Sequence, residues 1–273
     1  WNDGALDTIA RVVADARKRA EPVTLRAGRE KVQVGFNRRL TNVSNGHVYM
    51  GVNRQGPAVP WVNVLVADSV RTGKPLAVLF EHAAHPVIVP HTSRLISADF
   101  PGTAVRTVRA SLGEDVVAVF GQGCGGNING FPLRSTHENA EQAGRRLGEA
   151  TLRAITGSES IQAKTFTVRS ARADLPSAPL PGRELLAEMM DLEKENPTRM
   201  KQLKRIKELI QRGEKPPARR FDAWAVMFGE EWCLVAMPHE MFCQYELWID
   251  EHAPFRRTMT FAFTNGYEGY VAV

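Results

Sequence analysis

Pro101-Gly-Thr-Ala-Val-Arg-Thr-Val-Arg-Ala-Ser-Leu-Gly113 and, two residues on, Val116-Val-Ala-Val-Phe-Gly-Gln-Gly-Cys-Gly-Gly126 decide how this chain folds. Pro-Gly opens a helix that runs through Ser111, and Leu112-Gly113 closes it. Val116 to Phe120 is a short buried strand that runs into a glycine-rich bend. Upstream, Leu76 to Glu81 is an apolar strand set off by Thr72-Gly73-Lys74, and Trp61 to Ala67 is a β-branched one. Downstream, Ala143, Leu147, Ala150 and Ala154 mark a helix over 137–156, followed by a strand over 161–171. The alternation predicts an α/β fold, mixed β-sheets layered with α-helices.

Working outward, Leu6, Ile9, Val13 and Ala16 recur at helical spacing over 3–19. Val23 to Val34 reads as one or two strands, and Asn37 to Gly56 as a polar loop with Asn45-Gly46 as a turn. Helix formers over 183–213, broken at Asn196-Pro197 and flanked by Pro-rich turns, read as a helical insert of about 181–220 within a single domain covering 1–273. Phe221 to Phe228 and Trp232 to Met237 form a hairpin around Gly229-Glu230. A helix over Glu240 to Glu251 and a strand over Thr258 to Phe263 complete the pattern.

The 273 residues are 43% hydrophobic and 24% charged, an ordinary globular balance that excludes disordered and fibrous classes. No window approaches the roughly 18 apolar residues of a membrane-spanning helix. Thirty-five Lys and Arg against 30 Asp and Glu give +5, and 181–220 alone holds 11 basic and 7 acidic residues. The signs there are interspersed and no aromatic residue is present for stacking, so nucleic acid is not the expected partner. Cys124, Cys233 and Cys243 form no C-x-x-C pair, which argues against a disulfide scaffold and a cysteine zinc site. Residue 1 is Trp and 1–19 lack the apolar core of a signal peptide, so further chain is expected upstream.

Gly121 to Gly126 matches G-x-G-x-x-G after a strand, but the turn-rich Asn127 to Pro132 offers no helix N-terminus for a pyrophosphate. A tight backbone bend lining a pocket suits these glycines better. His82, His85 and His91 crowd the end of the Leu76 strand, where α/β folds build sites, yet His82 and His85 point to opposite faces of an extended segment. Glu240 also suits a helix start, and Tyr267 and Tyr270 also suit ordinary packing. Taken singly, each of these residues fits a structural role as well as a chemical one.

Together, Phe36-Asn-Arg-Arg39, His85-Pro followed by Leu95-Ile-Ser-Ala-Asp-Phe-Pro-Gly102, Gln122-Gly-Cys-Gly-Gly-Asn-Ile-Asn129, Met237-Pro-His-Glu-Met-Phe242 and Thr264-Asn-Gly-Tyr-Glu-Gly-Tyr-Val271 resemble the neutral/alkaline, non-lysosomal ceramidase family and its short bacterial relatives. The phrases span nearly the whole chain in family order. The resemblance implies the family's N-terminal catalytic domain, without its C-terminal immunoglobulin-like domain, and a Zn2+ centre. Carried over by motif, the metal ligands are His85, Glu240 and Tyr270, a mixed N/O set of the kind zinc accepts. Arg38 falls at an arginine near the family's pocket, suited to a developing oxyanion or a polar head group. His82 and His239 are candidate supports for a ligand's second ring nitrogen, and Asp99 is a candidate helix cap.

Two departures shape the expectation. The family's first zinc histidine lies in a Thr-His-Thr-His-Ser-Gly-type motif that is absent here, so this segment is expected to hold an incomplete metal shell. The family serine implicated in amide cleavage aligns with Asn129, whose amide cannot act as nucleophile. The resemblance therefore implies zinc-dependent hydrolysis of a linear amide, in an N-acyl lipid or related substrate, by activated water rather than through a covalent intermediate. It also implies export, and it permits peripheral contact with a membrane surface. The alternatives are an inactive lipid- or carbohydrate-binding module and an interaction domain that uses the basic helical insert.

Overall fold

The computed structural model describes residues 2–44, 46–162 and 165–273. The chain divides into two compact units, one formed by Trp1–Arg169 with Trp224–Val273 and the other by Ser170–Ala223.

The first unit is built on a five-stranded sheet. Its strands are β1 (Val23–Lys31), β4 (Trp61–Ser69), β5 (Pro75–His82), β6 (Val117–Gln122) and β8 (Glu159–Ser160), in the order β6-β5-β4-β1-β8. β5 and β6 are parallel, joined through α2 (Asp99–Leu112), as the opening stretch predicts. β4 pairs antiparallel with both β1 and β5. Alternation sends Val62, Val64, Val66, Val78 and Phe80 to one face, where they pack against Phe100, Ala104 and Val108 of α2 and Ala143, Leu147 and Ala150 of α3 (His137–Thr156). Gly144 and Gly148 let the two helices approach, since a Cβ at either would stand 2.5–2.6 Å from Thr103 or Thr107 Cβ. Thr136 caps α3 by accepting from the Asn139 N–H at 3.1 Å.

The opposite face of the sheet, with Ala27, Leu65 and Leu79, packs on Trp232, Leu234, Met259 and Phe261. These belong to a second sheet, ordered β13-β11-β10-β9, of β9 (Phe166–Leu175), β10 (Arg219–Phe228), β11 (Trp232–Ala236) and β13 (Arg257–Phe261). The resulting helix, sheet, sheet layering is the mixed α/β arrangement the alternation predicts. α1 (Asn2–Lys18) forms where its periodicity places it, but Leu6, Ile9, Val12 and Val13 lie exposed.

Several boundaries differ from the sequence reading. Asn37 to Gly56 is not a polar loop: β2 (Gly35–Thr41) and β3 (Val48–Asn53) form a hairpin within it, and β2 pairs in turn with β7 (Ile128–Gly130). Asn45 of the expected turn, and 163–164 of the expected 161–171 strand, lie outside the described residues. The last helix, α6 (Cys243–His252), starts three residues after Glu240. Glu240 sits on the two-residue strand β12 (Glu240–Met241), which pairs in parallel with β14 (Tyr270–Val271). It is therefore not a helix-start carboxylate.

The second unit contains α4 (Arg183–Leu192) and α5 (Pro197–Arg212), which bury Leu186 and Leu203. Asn196 caps α5, Pro197 opens it and left-handed Gly213 ends it, the signals its sequence carries. No helix among the described residues is long and apolar enough to cross a membrane.

Candidate metal and hydrolase site

His85 lies just beyond β5 and is clamped by β7. Its N–H donates to Ile128 O at 3.0 Å, its O accepts from the Gly130 N–H at 3.1 Å, and it forms a parallel bridge with Asn129. The ring is oriented by the same strand, with Nδ1 2.9 Å from Ile128 O. A carbonyl only accepts, so Nδ1 carries a proton and Nε2 is the ring atom turned to the cluster. Nε2 lies 2.8 Å from Glu240 Oε2, hydrogen-bond distance. A proton bridges an imidazole nitrogen and a carboxylate oxygen at this separation, in a position a cation could take.

Glu240 is brought there by backbone pairing. The β12–β14 register sets Glu240 opposite Tyr270, the Glu240 N–H donates to Gly269 O at 2.9 Å, and the Gly126 N–H donates to Met241 O at 2.8 Å. The Tyr267 hydroxyl donates to Glu240 Oε1 at 2.8 Å, and Tyr270 also hydrogen-bonds the carboxylate. Burial acts to raise the Glu240 pKa, but hydrogen bonds from Tyr270, His85 and Tyr267 outweigh it and hold the group below its ordinary range. Burial and then the Glu240 carboxylate push the Tyr270 hydroxyl upward, so at neutral pH it is a phenol that donates.

Arg38 completes the cluster. Its Nη2 donates to Gly126 O at 2.8 Å and its Nη1 to Asn129 Oδ1 at 3.3 Å, while the guanidinium lies 5.1 Å from the centre of the Tyr270 ring. Beside Arg38 and Asn129 opens a slot of about 60 Å³, with Phe36, Met50, Val52 and Phe131 among its walls. His85, Glu240, Tyr270, Arg38 and Asn129, named from sequence in five separate segments, thus sit in one hydrogen-bonded group.

The other candidates serve the frame. Buried His82 bonds Trp61 O through Nδ1 at 2.7 Å, and burial lowers its pKa to about 4, so it is neutral and turned from the cluster. The His239 Nδ1 accepts from the Glu268 N–H at 3.1 Å and thereby holds the tyrosine loop. Asp99 accepts from the N–H groups of Phe100 and Val89, tying the start of α2 to the loop after His85, while Ala98 occupies the cap position.

Sequence reasoning left Tyr267 among ordinary aromatics and missed Phe263, whose ring centre lies 6.5 Å from that of His85 and 6.0 Å from that of Tyr267. Its positive φ of 57° carries no sequence signal, because Phe is not a residue that favours that region. Asn127 was also missed. It accepts from the Cys243 N–H at 2.9 Å and donates to Gln244, joining the glycine bend to α6.

The donor chemistry fits a zinc ion: one imidazole nitrogen, one carboxylate and one tyrosine oxygen. Among the described residues no three His, Cys, Asp or Glu side chains gather as a metal site.

The fold is that of the neutral ceramidases. The chain superposes on neutral ceramidase from Pseudomonas aeruginosa with a TM-score of 0.69 and 18% identity, over 98% of this chain and 49% of that one. A second structure, ceramidase complexed with C2, matches with a TM-score of 0.65 and 17% identity, over 94% of this chain and 49% of that one. The chain thus spans about half the length of the structures it matches. No protein-family model and no curated protein matches the sequence.

Proposed function

We propose that this chain carries the catalytic pocket of a zinc-dependent, ceramidase-like hydrolase of linear amides, with an N-acyl lipid or related small molecule as substrate. The observation that carries this reading is the convergence of His85, Glu240 and Tyr270 on a ceramidase fold, with His85 Nε2 and Glu240 Oε2 2.8 Å apart. His85, Glu240 and Tyr270 would hold the metal. When bound, zinc supplies Lewis-acid chemistry, polarising a carbonyl and making water a competent nucleophile near neutral pH.

The chain's own residues do the rest. Ile128 O accepts from the His85 Nδ1–H and leaves Nε2 as the ring atom that faces Glu240. Glu240 accepts hydrogen bonds from the two tyrosine hydroxyls and supplies the negative charge of the site. Arg38, immobilised by Gly126 O and Asn129 Oδ1, offers a fixed positive charge to a developing oxyanion or a polar head group. Asn129 orients Arg38 and offers its amide to the substrate, and its chemistry excludes a covalent acyl route at that position. Export follows from the same reading.

Calorimetric titration of the purified chain with zinc chloride tests this. About one zinc per chain is expected, with binding lost in His85→Ala and weakened in Glu240→Gln and Tyr270→Phe while the folded spectrum is kept. Equal zinc binding by the parent and all three variants would remove the site. Zinc binding with no turnover on a panel of N-acyl amides would leave a metal-binding lipid module instead.

A further inference from the structure

Behind the site, Glu81 near the end of β5 meets Glu246 of α6, and both are fully buried. Glu81 Oε2 accepts from Asn63 Nδ2 at 2.8 Å, and Glu246 Oε2 accepts from the Cys124 N–H at 2.9 Å. The other oxygen of each carboxyl, Oε1, has no donor among the described residues. Gly123 permits the encounter, because a Cβ there would collide with Glu81 Oε1 and lie 2.9 Å from Glu246 Oε2.

The charged and titratable groups facing the pair are few. Arg29 of β1 is engaged by Asp250 of α6 at 2.5–2.8 Å and by Asn63 Oδ1 at 2.7 Å. The thiols of Cys124 in the bend and Cys243 in α6 are neutral, pushed up by burial. Arg29 and Arg257 both act on Asp250, so ionisation of both glutamates would leave uncompensated negative charge in the interior. Two ionised carboxylates with orphaned oxygens at this depth are prohibitively costly. A single proton removes the conflict: it lowers the charge by one and turns one carboxyl into a donor to the other.

We propose that Glu81 and Glu246 share one proton and serve as positioning residues, a proton-bridged tie that holds together three catalytic segments. These are the end of β5 leading to His85, the 121–126 bend leading to Asn129, and the helix that follows Glu240. Their positioning role rests on the functional reading above; the shared proton does not. Burial, then the charge of Glu246, pushes Glu81 well upward, and burial raises Glu246 to about 7. A carboxyl with a raised folded-state pKa contributes stability that is complete below its ordinary value of 4.5 and is lost as pH rises through about 7.

Infrared spectroscopy of the intact chain in D2O reads the proton directly. A protonated, buried carboxyl band is expected in the parent protein at about pH 6, weakening as pH rises through about 7, and absent from the double variant Glu81→Gln/Glu246→Gln. In denaturant unfolding, the ratio of the parent's unfolding equilibrium constant to that of the double variant is expected to rise by up to about tenfold per pH unit between about 5 and 7, a comparison in which the opposing contribution of neutral His82 cancels. The absence of the band in the parent, its persistence in the double variant, or parallel stability curves would each overturn the proposal. None of these readouts involves zinc or turnover, so failure of the zinc titration alone would remove only the hydrolase reading.

Discussion

Replacing Gly126 by Ala places one methyl group where the site has no room for it. A Cβ at Gly126 would stand 2.7 Å from Glu240 O, 2.8 Å from Met241 O and 3.0 Å from Met241 C. Carbon-to-oxygen contacts settle at about 3.3–3.6 Å, so the bend must retreat from β12 by roughly half an ångström or more. The obstructing atoms are backbone and cannot rotate aside. Retreat stretches the 2.8 Å bond from the Gly126 N–H to Met241 O and the 2.8 Å bond from Arg38 to Gly126 O. Overpacking of this kind costs about 1–3 kcal/mol, and a weakened hydrogen bond adds about 0.5–1.5 kcal/mol. The expected total of about 2–4 kcal/mol lowers the melting temperature by roughly 3–7 °C in a chain of this length. The assay is thermal unfolding followed by circular dichroism, beside Gly4→Ala, where nothing lies within 4 Å of the new methyl group. The control is expected to match or exceed the parent, because Ala is the better helix former. A Gly126→Ala protein melting within about 2 °C of the parent would refute the close approach of bend and strand.

Arg38→Ala is expected to lower kcat/KM on an N-acyl amide by about 10²–10³-fold with zinc stoichiometry kept, as for a lost electrostatic stabiliser; a change under threefold would place Arg38 outside the chemistry. Thr136→Ala removes the side-chain acceptor at the start of α3 and is expected to cost about 1 kcal/mol in denaturant unfolding. For Asp250, burial opposes ionisation, but the Arg29 hydrogen bonds and charge prevail and its pKa is lowered. Stability from that carboxylate is present above its ordinary value of 3.8 and lost as pH falls through the lower folded-state value. Asp250→Asn is therefore expected to destabilise the chain by about 1–2 kcal/mol at neutral pH and to reduce its acid sensitivity, read from unfolding midpoints at about pH 3 and 7.

Helices were the most legible part of the chain because their signals are local. The α2 and α3 periodicities, the Asn196-Pro197 break and Gly213 act within one turn of the backbone they shape. β3 was not legible: Val48, Tyr49, Met50 and Val52 are all largely exposed, so no alternation of burial marks them as a strand. β12 and β14 are two residues each and exist only because their partners are 30 residues away. That is why Glu240 read as a helix start, although the helix it precedes begins at Cys243.

By itself the sequence determined the layered α/β class and the helical hairpin, since these follow from local periodicity and capping, while the set of candidate site side chains came from the order of its motifs and their resemblance to a known family. Tertiary structure alone decided that Ile128 O orients the His85 ring, that Glu240 stands opposite Tyr270, and that Tyr267 touches the carboxylate. It alone also buried Glu81 against Glu246. Lone-pair direction, strand register and desolvation depend on atoms supplied from distant parts of the chain, and no spacing within one segment encodes them.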